Sequence, residues 1–472
     1  MVKLYNTLTG AKERLPSPAD KKTPIRLFVC GPTVYDYPHI GNARTFMVFD
    51  IIARYLRSRG AKLFYLQNIT DIDDKIIARA KEDGVDWKTT SRRFEKIFLA
   101  DMKRLGITSV DKYARATDYI PQIVSQVTRL KASGHAYLIE GDGYYFDLKK
   151  FPEYGKLARR TIEQAEDGVS RIDESDKKRN KGDFALWKFS HEGEPGWKTE
   201  LGFGRPGWHI EDTAITEKFF GLHYELHGGA LDLKFPHHEA EIAQAESLSA
   251  GQAELSGNAP FVNVWMHAGF LFVNGKKMSK SLGNFITIDD FASRNASNIF
   301  RWMVLAHHYR SPMDYTKELL AQSKGSFSKV HQFVGRLALA ARQNTASTSN
   351  VDMPAKVSES RRQFEEAMDD DFNTPDALGR LFGLIFEFQN TIWELSREDA
   401  KTLAEYLESV LKALGIALKS PKIPSEIKAL VKKREACRVG KQFIQSDALR
   451  KEIYALGYIV EDTPMGPFVW PK

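Results

Sequence analysis

The stretch IRLFVCGPTVYDYPHIGN, residues 25–42, predicts how the chain begins to fold. IRLFVC is a short apolar run typical of a buried parallel strand, and a loop rich in glycine and proline follows it. Residues 43–60 have the pattern of a helix that ends at Gly60, and KLFYLQNI (62–69) predicts a second strand. This order of elements predicts an α/β fold with a doubly wound, Rossmann-like parallel sheet.

Composition limits the class of protein. At 472 residues the chain is long enough for two to four domains, and 42% hydrophobic with 27% charged residues is ordinary for a globular protein. The first residues show no signal peptide, and no apolar run reaches the roughly 18 residues of a membrane span. With only Cys30 and Cys437, we expect a cytoplasmic protein without disulfides. A net charge of +7 permits a nucleic-acid partner without requiring one.

The rest of the chain divides by pattern. AYLIEGDGYYFDL predicts two strands joined across Gly141–Gly143, inside an insertion. HYELHG and FVNVWMHAGFLFV predict strands that complete the sheet, and helical patterns follow from about residue 316. TASTSN (345–350) and KSPKIPS (419–425) are typical of linkers, and a small hairpin ends the chain. We therefore predict a split sheet domain (1–117 and 206–310), an insertion (118–205), a helical domain (311–418) and a C-terminal segment (419–472).

PHIGN, residues 38–42, is the first motif with chemical content. The start of a helix favours phosphate, Gly41 permits close approach of a nucleotide, and His39 can donate a hydrogen bond to a phosphate oxygen. Taken alone, the histidine is equally well explained as a helix cap or a surface residue.

NGKKMSKSLGN, residues 274–284, is the second motif. Its lysines stand among glycine, serine and asparagine, a composition typical of a mobile loop. Lysines on such a loop suit a leaving pyrophosphate, whose charge grows in the transition state. Taken alone, the cluster is equally well explained as a solvated basic turn.

The two motifs together resemble the signature pair of class I aminoacyl-tRNA synthetases. Four further stretches resemble the cysteinyl-tRNA synthetase branch of that family: NITDIDDK (68–75), GWHIE (207–211), HGGALDLKFPHHEAEIAQ (227–244) and MDDDFNTPDAL (368–378). The resemblance covers essentially the whole chain. It implies a catalytic domain followed by an α-helical tRNA-binding domain and a small C-terminal anticodon-binding segment.

The resemblance also implies an activity. L-cysteine is activated by ATP, with Mg²⁺, to cysteinyl-adenylate and is then transferred to the 3′-terminal adenosine of tRNA(Cys). The thiol is recognised by one Zn²⁺ per chain, because a metal–sulfur bond distinguishes cysteine from serine better than an apolar pocket does. The implied partners are ATP, L-cysteine and tRNA(Cys), with no membrane, and the family is mostly monomeric.

Residue by residue, the resemblance implies four zinc ligands: Cys30, Asp212, His237 and Glu241. The i, i+4 spacing of His237 and Glu241 places both on one face of a helix. Asp212 departs from the family, which has a cysteine at this position. We expect its carboxylate to be the fourth ligand, since zinc accepts Asp oxygen, although a harder ligand set makes another metal conceivable. The alternatives are that Asp212 lies outside the ligand set and a water completes it, or that the metal is lost.

The other implied site residues fall into three groups. The cysteine-binding residues are Gly31, Thr33, Thr70, Trp208 and His237, although Trp208 is also explained as ordinary core. The ATP-binding residues are His39, Gly41, Asn42, Gly229, Asp232, Lys277, Ser279 and Lys280, of which His39, Asn42, Lys277 and Lys280 are the catalytic set. The anticodon-reading residues are Arg438, Phe443, Asp447 and Asp462, in a segment that is also explained as an amphipathic helix with a charged face.

Two other functions remain open at this point. One is a ligase that joins cysteine to an amino sugar, which the long C-terminal segment disfavours. The other is a non-catalytic tRNA-binding paralogue, which the intact motifs disfavour and Asp212 keeps open.

Overall fold

The computed structural model describes residues 1–16, 22–161, 164, 175–249, 260–279, 282–342 and 351–472. These residues form two compact units. The first is Met1–Thr316 with Asp369–Asn373, and the second is Lys317–Met368 with Thr374–Lys472. The finer four-part division predicted from the sequence stays a prediction.

The first unit contains strands and helices in alternation. Its described strands are β1 (Lys3–Asn6), β2 (Ala11–Arg14), β3 (Ile25–Val29), β4 (Leu63–Ile69), β5 (Lys112–Arg115), β6 (Ala136–Ile139), β7 (Gly143–Phe146), β8 (Phe184–Phe189), β9 (Trp197–Thr199), β10 (Gly202–Pro206), β11 (Tyr224–Ala230), β12 (Val262–Ala268), β13 (Leu271–Val273), β14 (Lys276–Lys277) and β15 (Met313–Tyr315). Its described helices are α1 (Ile40–Ser58), α2 (Asp74–Asp83), α3 (Trp87–Arg104), α4 (Ile120–Ala132), α5 (Ile210–Phe220), α6 (His237–Ser249), α7 (Ile288–Arg294) and α8 (Ser297–Leu305).

A parallel five-stranded sheet positions the site. Its strand order is β12-β11-β3-β4-β5, with every pair parallel. The chain proceeds outward from β3 in one direction through β4 and β5, and in the other through β11 and β12. The order therefore reverses between β3 and β11, and ligands of such sheets bind beyond the carboxyl ends of the strands at that point. The predicted α/β fold class is confirmed.

Helix α1 begins three residues earlier than its pattern predicted. The Nδ1 atom of His39 accepts from the backbone amides of Gly41 and Asn42 at 3.1 and 3.2 Å, and the side chain of Asn42 accepts from the amide of His39. This reciprocal capping satisfies amides that would otherwise lack a partner in the first turn. The capping starts the helix at Ile40, inside the PHIGN motif.

The run FVNVWMHAGFLFV was predicted as strand, and it forms two strands in different sheets. Strand β12 belongs to the parallel sheet, while β13 pairs with β14 and β15. The buried guanidinium of Arg44 donates to the carbonyls of Gly269 and Phe270 between them. The carbonyl of Phe270 also accepts from the backbone amide of Met313 on β15 at 2.9 Å, so the chain pairs with β15 directly after it leaves the parallel sheet.

The insertion forms its own antiparallel sheet, with strand order β6-β7-β8-β10-β9. The predicted pair of strands across Gly141–Gly143 is its β6–β7 hairpin. The short segment Asp369–Asn373 belongs to the first unit through Asp371. This buried carboxylate accepts from the backbone amide of Tyr5 and the hydroxyl of Tyr309, both at 2.8 Å.

The second unit is mainly helical. Its elements, with α10 running on to Asp369, are α9 (Lys317–Ala340), α10 (Met353–Asp369), α11 (Thr374–Phe388), α12 (Arg397–Ala413), α13 (Ser425–Val439), α14 (Phe443–Ala455), β16 (Tyr458–Thr463) and β17 (Gly466–Pro471). Strands β16 and β17 are the predicted terminal hairpin. The predicted linker TASTSN lies outside the described residues. Among the helices described, none has both the length and the apolar character needed to cross a membrane.

Candidate active site

A cavity of about 560 Å³ opens beyond the carboxyl ends of β3 and β11. Both sequence motifs border it, together with the start of α5 and the start of α6. The residues predicted from the sequence that line it are Cys30, Gly31, Thr33, His39, Gly41, Asn42, Thr70, Trp208, Asp212, Asp232, His237, Lys277 and Ser279. The fold thus gathers residues that are far apart in the sequence around one cavity.

Four potential metal ligands meet at one end of this cavity. Cys30, Asp212, His237 and Glu241 each offer an atom, and these atoms all lie within 4.8 Å of one another. Asp212 Oδ2 lies 2.9 Å from His237 Nε2, and Glu241 Oε1 lies 3.3 Å from the same nitrogen. One thiol, one imidazole and two carboxylates are a ligand set that zinc accepts.

Two carboxylate oxygens in this group have no hydrogen-bond partner. They are Asp212 Oδ1 and Glu241 Oε2, and both residues are fully buried. Burial and repulsion by Asp212 raise the pKa of Glu241, and burial followed by repulsion from Glu241 raises the pKa of the Cys30 thiol. Buried acidic groups whose oxygens lack hydrogen-bond partners are stable only when they bind protons or a cation. These residues therefore fit a divalent metal.

A second group of potential ligands shares two members with the first. The atoms of Cys30, His227, His238 and Glu241 also lie within 4.8 Å of one another. Cys30 Sγ is 3.3 Å from His227 Nε2 and 3.1 Å from His238 Nε2. His227 and His238 do not line the cavity, whereas Cys30, Asp212 and His237 do. Only the group with Asp212 and His237 therefore has three members in contact with the space where a substrate binds.

The imidazoles behind the cavity are oriented by further hydrogen bonds. Tyr224 Oη lies 2.7 Å from His227 Nδ1, and His267 Nε2 lies 2.8 Å from His238 Nδ1. His209 Nδ1 lies 2.8 Å from His237 Nδ1. Burial lowers the pKa of His227, His238 and His209, so these rings are neutral. Partners of this kind fix the tautomer and the orientation of a metal-binding histidine.

A polar network supports the wall made by the residues that follow β3 and β4. The hydroxyl of Thr70 and the amide of Asn68 both donate to Glu211 Oε1, and Asn68 Oδ1 accepts from the backbone amide of Gly31. Thr33 pairs with Thr70 across an isolated parallel bridge. Sequence analysis did not assign roles to Asn68 or Glu211, although both lie within the quoted motifs NITDIDDK and GWHIE.

Trp208 stands at the mouth of the cavity. Its side chain is 39% exposed, and its ring centroid lies 4.4 Å from that of His237. This exposure excludes the interpretation of Trp208 as ordinary core. Trp208 lines the cavity together with Asp212 and His237, and its role as a wall against the amino acid stays a prediction.

His39 is held in a single protonation state by its surroundings. Burial lowers its pKa to about 4, so the ring is neutral near pH 7. Because Nδ1 accepts from the helix amides, Nε2 carries the proton and is the atom that can donate to a ligand. The amides of Gly41 and Asn42 are engaged by His39 and are not free for phosphate, contrary to the simple expectation for a helix start.

The lysine-bearing loop contacts the PHIGN motif. A Cβ atom on Gly41 would lie 2.8 Å from the His39 ring and 3.1 Å from Met278 Cε, so glycine is needed for this close approach. Asn284 holds the loop, since its Oδ1 accepts from the amide of Ser279 at 2.9 Å and its Nδ2 donates to the carbonyl of Lys277 at 3.2 Å.

The exposed Lys277 has a defined position beside the cavity. Its Nζ atom lies 5.2 Å from the centroid of the Phe270 ring, within the range of a cation–π contact. Lys280 lies outside the described residues.

Comparison with known proteins identifies the family. A model described as the tRNA synthetases class I (C) catalytic domain matches residues 17–325, and a DALR domain model matches residues 363–419. The cysteine–tRNA ligase of Thermococcus gammatolerans is 40% identical over 100% of this chain and 99% of its own. This chain belongs to the cysteine–tRNA ligase family of class I synthetases. The ligases of Caldicellulosiruptor saccharolyticus (40% identical, covering 98% of both chains) and Pyrococcus abyssi (42%, covering 98% of this chain and 97% of that one) are similar to it over the same extent.

Solved structures agree at the level of the fold. The methionyl-tRNA synthetase of Mycobacterium tuberculosis in complex with methionyl-adenylate has a TM-score of 0.60 at 16% identity, over 83% of this chain and 89% of that one. A protein of Campylobacter jejuni assigned as an arginyl-tRNA synthetase has a TM-score of 0.58 at 14% identity, over 85% of this chain and 95% of that one.

Three further residues lie at or near the cavity: Gly229 and Asp232, which were predicted to bind ATP, and Lys75. Gly229 packs against His238, where a Cβ atom would lie 2.7 Å from the ring, and the adjacent cavity wall is formed by Ala230. Asp232 does line the cavity. Lys75 was missed by sequence analysis: it also lines the cavity, with Nζ 5.6 Å from the centroid of the Tyr35 ring.

The predicted anticodon residues lie in the second unit: Arg438, Phe443 and Asp447 around the turn between α13 and α14, and Asp462 on β16. Phe443 is 60% exposed and Asp447 is exposed. Arg438 Nη1 lies 2.8 Å from Asp462 Oδ2, and the buried Arg434 also binds Asp462 with both terminal nitrogens. Two of the four predicted residues thus pair with each other, while Phe443 and Asp447 face solvent.

Proposed function

We propose that this protein is a cysteine–tRNA ligase that activates L-cysteine with ATP and transfers it to the 3′-terminal adenosine of tRNA(Cys). The observation that carries the proposal is the position of the group Cys30, Asp212, His237 and Glu241. This ligand set, which suits a thiophilic metal, borders the same cavity as His39 and Lys277. A thiol-selecting group and a phosphate-binding group in one cavity are what activation of cysteine requires.

The residues that would hold the metal are Cys30, Asp212, His237 and Glu241, and we propose Zn²⁺ as the ion. When bound, zinc supplies a Lewis-acidic centre that prefers a thiolate to a hydroxyl. Asp212 belongs to this set in our proposal because its Oδ1 atom is buried and has no partner. A carboxylate in place of a thiolate keeps the charge of the ligand set and makes it harder.

The amino-acid end of the cavity has a fixed wall. Glu211 holds Thr70 and Asn68, and Asn68 in turn holds the amide of Gly31. We propose that this wall and Trp208 orient the cysteine so that its carboxylate faces the α-phosphate of ATP. Orientation of this kind lowers the barrier without covalent participation of the protein.

The ATP end of the cavity supplies donors and positive charge. In the proposed mechanism His39 donates from Nε2 to a phosphate oxygen, and the side-chain Nδ2 of Asn42, whose backbone amide is engaged by His39, contributes a weaker hydrogen bond. Lys277 leaves the Phe270 ring to meet the phosphates, and Lys280 and Ser279 act from the same loop. The cysteine carboxylate attacks the α-phosphate, and pyrophosphate leaves with the Mg²⁺ that accompanies ATP.

The second unit suits a tRNA partner. We propose that the exposed ring of Phe443 stacks on an anticodon base and that Asp447 and Arg438 contact base edges. Asp462 then acts chiefly by orienting Arg438, since it already pairs with that side chain. We further propose that the protein is a cytoplasmic monomer, in line with its two free cysteines.

Charging of a tRNA(Cys) transcript with radiolabelled cysteine tests the function, with a tRNA of another specificity as the negative control. The proposal predicts cysteine- and ATP-dependent charging of tRNA(Cys) alone. A protein that forms cysteinyl-adenylate but charges no tRNA, and instead consumes cysteine when an amino sugar is supplied, would be the amino-sugar ligase. A protein that binds tRNA(Cys) and forms no adenylate would be the non-catalytic paralogue.

A further inference from the structure

Three cations that form no ion pair among the described residues, Arg159, Arg160 and Lys234, cluster beside the active-site cavity. Arg159 and Arg160 are exposed residues of the insertion, and Lys234 ends the short helix Leu231–Lys234. Within the described part of the chain, no carboxylate forms an ion pair with any of the three. Burial, and then repulsion by Arg159, lowers the pKa of Lys234, with Arg160 adding to the effect and Glu239 opposing it. Glu239 thus offsets part of the charge, and three cations against this one carboxylate leave the cluster with a net positive charge.

The backbone that bears the two arginines is anchored. The buried carboxylate of Glu239, on the same helix as His237 and Glu241, accepts from the amides of Leu157 and Ala158 at 3.3 and 2.8 Å. The amide of Arg160 donates to the carbonyl of Gly155 at 3.0 Å and closes the turn. Gly155 has φ of +100°, and a Cβ atom there would lie 1.8 Å from the carbonyl oxygen of Arg160. The turn thus requires glycine and presents the arginines in a fixed place.

The side chains are also held by contacts that leave them able to bind a ligand. The guanidinium of Arg160 lies 4.7 Å from the centroid of the Phe235 ring. Arg159 donates to the carbonyl of Thr9 at 3.4 Å, a long contact that uses only one of its donors. An open cavity of about 550 Å³ lies against both arginines. Such pre-orientation lowers the entropic cost of binding.

A short segment of the chain, from Leu231 to His237, connects the cluster to the active-site cavity. In the run from Leu231 to His237, the residues Asp232, Leu233 and His237 line the active-site cavity. Between Leu233 and His237 lie Lys234, which is a member of the basic cluster, and Phe235, whose ring contacts Arg160. A chain of phosphates bound at the cluster would therefore end close to the proposed cysteine and ATP sites.

We propose that Arg159, Arg160 and Lys234 bind the phosphodiester backbone of the single-stranded 3′ end of tRNA as it enters the active-site cavity. The proposal rests on the proposed function. Guanidinium groups match phosphate geometry with paired donors, and Arg160 together with Phe235 offers a flat face for a base. The phosphates of ATP have the same chemistry and are the other source of a ligand for this cluster. We assign the cluster to tRNA because His39 and Lys277 already serve ATP.

The test compares two triple variants in two assays. One variant carries Arg159→Ala, Arg160→Ala and Lys234→Ala. The matched control carries Lys81→Ala, Lys96→Ala and Lys103→Ala, which removes three exposed cations from α2 and α3. The assays are tRNA(Cys) charging at several salt concentrations, and cysteine-dependent ATP–pyrophosphate exchange without tRNA.

For the cluster variant we expect the KM for tRNA(Cys) to rise about 10- to 100-fold, with exchange within about twofold of wild type. Each lost contact to a single strand reduces the slope of log affinity against log salt by about 0.7, so the slope should flatten by about 2. The control should match wild type in both assays. Normal exchange also shows that the variant is folded.

Two results would overturn the assignment. A KM and salt slope equal to those of the control would show that the cluster does not bind tRNA. Equal losses in exchange and charging would assign the cluster to ATP or to the fold instead. If the wild type does not charge tRNA(Cys), the proposed function itself is overturned. If the wild type charges tRNA(Cys) and the cluster variant matches it, only the assignment of the cluster is overturned.

Discussion

Asp212 Oδ2 lies 2.9 Å from His237 Nε2, while Asp212 Oδ1 is buried without a partner. A carboxylate that only oriented the histidine would leave this second oxygen desolvated at a cost of about 1–3 kcal/mol or more. A metal ion bound to Asp212 removes that cost. The departure from the family's cysteine is therefore consistent with a metal site that is altered and still functional.

Substitution of Asp212 tests its role as a ligand. We expect Asp212→Ala to weaken zinc binding about tenfold or more, because one of four protein ligands is lost, and to raise the KM for cysteine in pyrophosphate exchange. Asp212→Cys should bind zinc more tightly than wild type, since a thiolate is softer. Competition with a chromophoric chelator measures the affinity. Unchanged zinc affinity and unchanged KM in Asp212→Ala would remove Asp212 from the ligand set.

Glu211 is expected to act through Thr70 and Asn68. Glu211→Ala removes the acceptor of both side chains and should raise the KM for cysteine about tenfold, with a much smaller change in the KM for ATP. Glu211→Gln keeps the accepting oxygen and should remain within about threefold of wild type. Steady-state exchange kinetics at varied cysteine and varied ATP give both constants. Equal rises in both constants for Glu211→Ala would indicate a general loss of structure.

Asn284 is expected to control the lysine-bearing loop. Asn284→Ala loses the contacts to Ser279 and Lys277 and should lower kcat of exchange about tenfold, because the lysines must be ordered again in each turnover. Asn284→Asp keeps the acceptor for Ser279 and loses the donor to Lys277, so its rate should be intermediate. An Asn284→Ala enzyme as fast as wild type would show that the contacts do not position the loop.

His39 should remain neutral well below the usual pKa of histidine. Its pKa of about 4 lies below the unperturbed 6.5, so between these values the unfolded chain binds a proton that the folded protein does not. The stability contributed by the neutral ring is therefore complete above pH 6.5 and falls by about 3 kcal/mol as the pH drops through this window. NMR titration of ¹³C-labelled histidine, assigned with His39→Asn, measures the pKa. A midpoint near 6.5 would contradict the burial that keeps the His39 ring neutral between pH 4 and 6.5.

Phe443 is expected to contribute to tRNA binding and not to adenylate formation. Stacking of one base on an aromatic ring contributes about 1–3 kcal/mol, so Phe443→Ala should raise the KM for tRNA(Cys) about 5- to 100-fold. Phe443→Tyr should behave like wild type, and Phe386→Ala, at another exposed phenylalanine of the second unit, is the control. A loss in pyrophosphate exchange by Phe443→Ala would contradict a role confined to tRNA.

The sequence predicted those parts of the fold that depend on short-range pattern. Apolar strands next to loops rich in glycine gave β3, β4 and β11, and the spacing of His237 and Glu241 placed both on α6. The division of residues 261–273 between two sheets could not be predicted, because the contacts at the division, with Arg44 and with Met313, join positions far apart in the chain. The same limit applies to Asp371, whose partners Tyr5 and Tyr309 are brought to it only by the tertiary fold.

The candidate site was predicted unevenly for the same reason. Motifs indicated which side chains meet the cavity, since each motif is a continuous stretch. Contacts between stretches were not predictable: the support of Thr70 by Glu211, and the close approach of His227 and His238 to Cys30. The role of Gly41 in approach of a nucleotide stays a prediction, and the structure adds a separate reason for glycine there, the close approach of the His39 ring and Met278.

The most direct test of the central claim is ATP–pyrophosphate exchange by the purified protein, with cysteine, serine and no amino acid compared side by side. The comparison is made on zinc-loaded protein and on protein stripped by a chelator. We predict exchange that requires cysteine and is at least about 100-fold weaker with serine. The exchange should be lost when the chelator removes zinc and regained when zinc is added back. No exchange with any amino acid in folded, zinc-loaded protein would contradict the account.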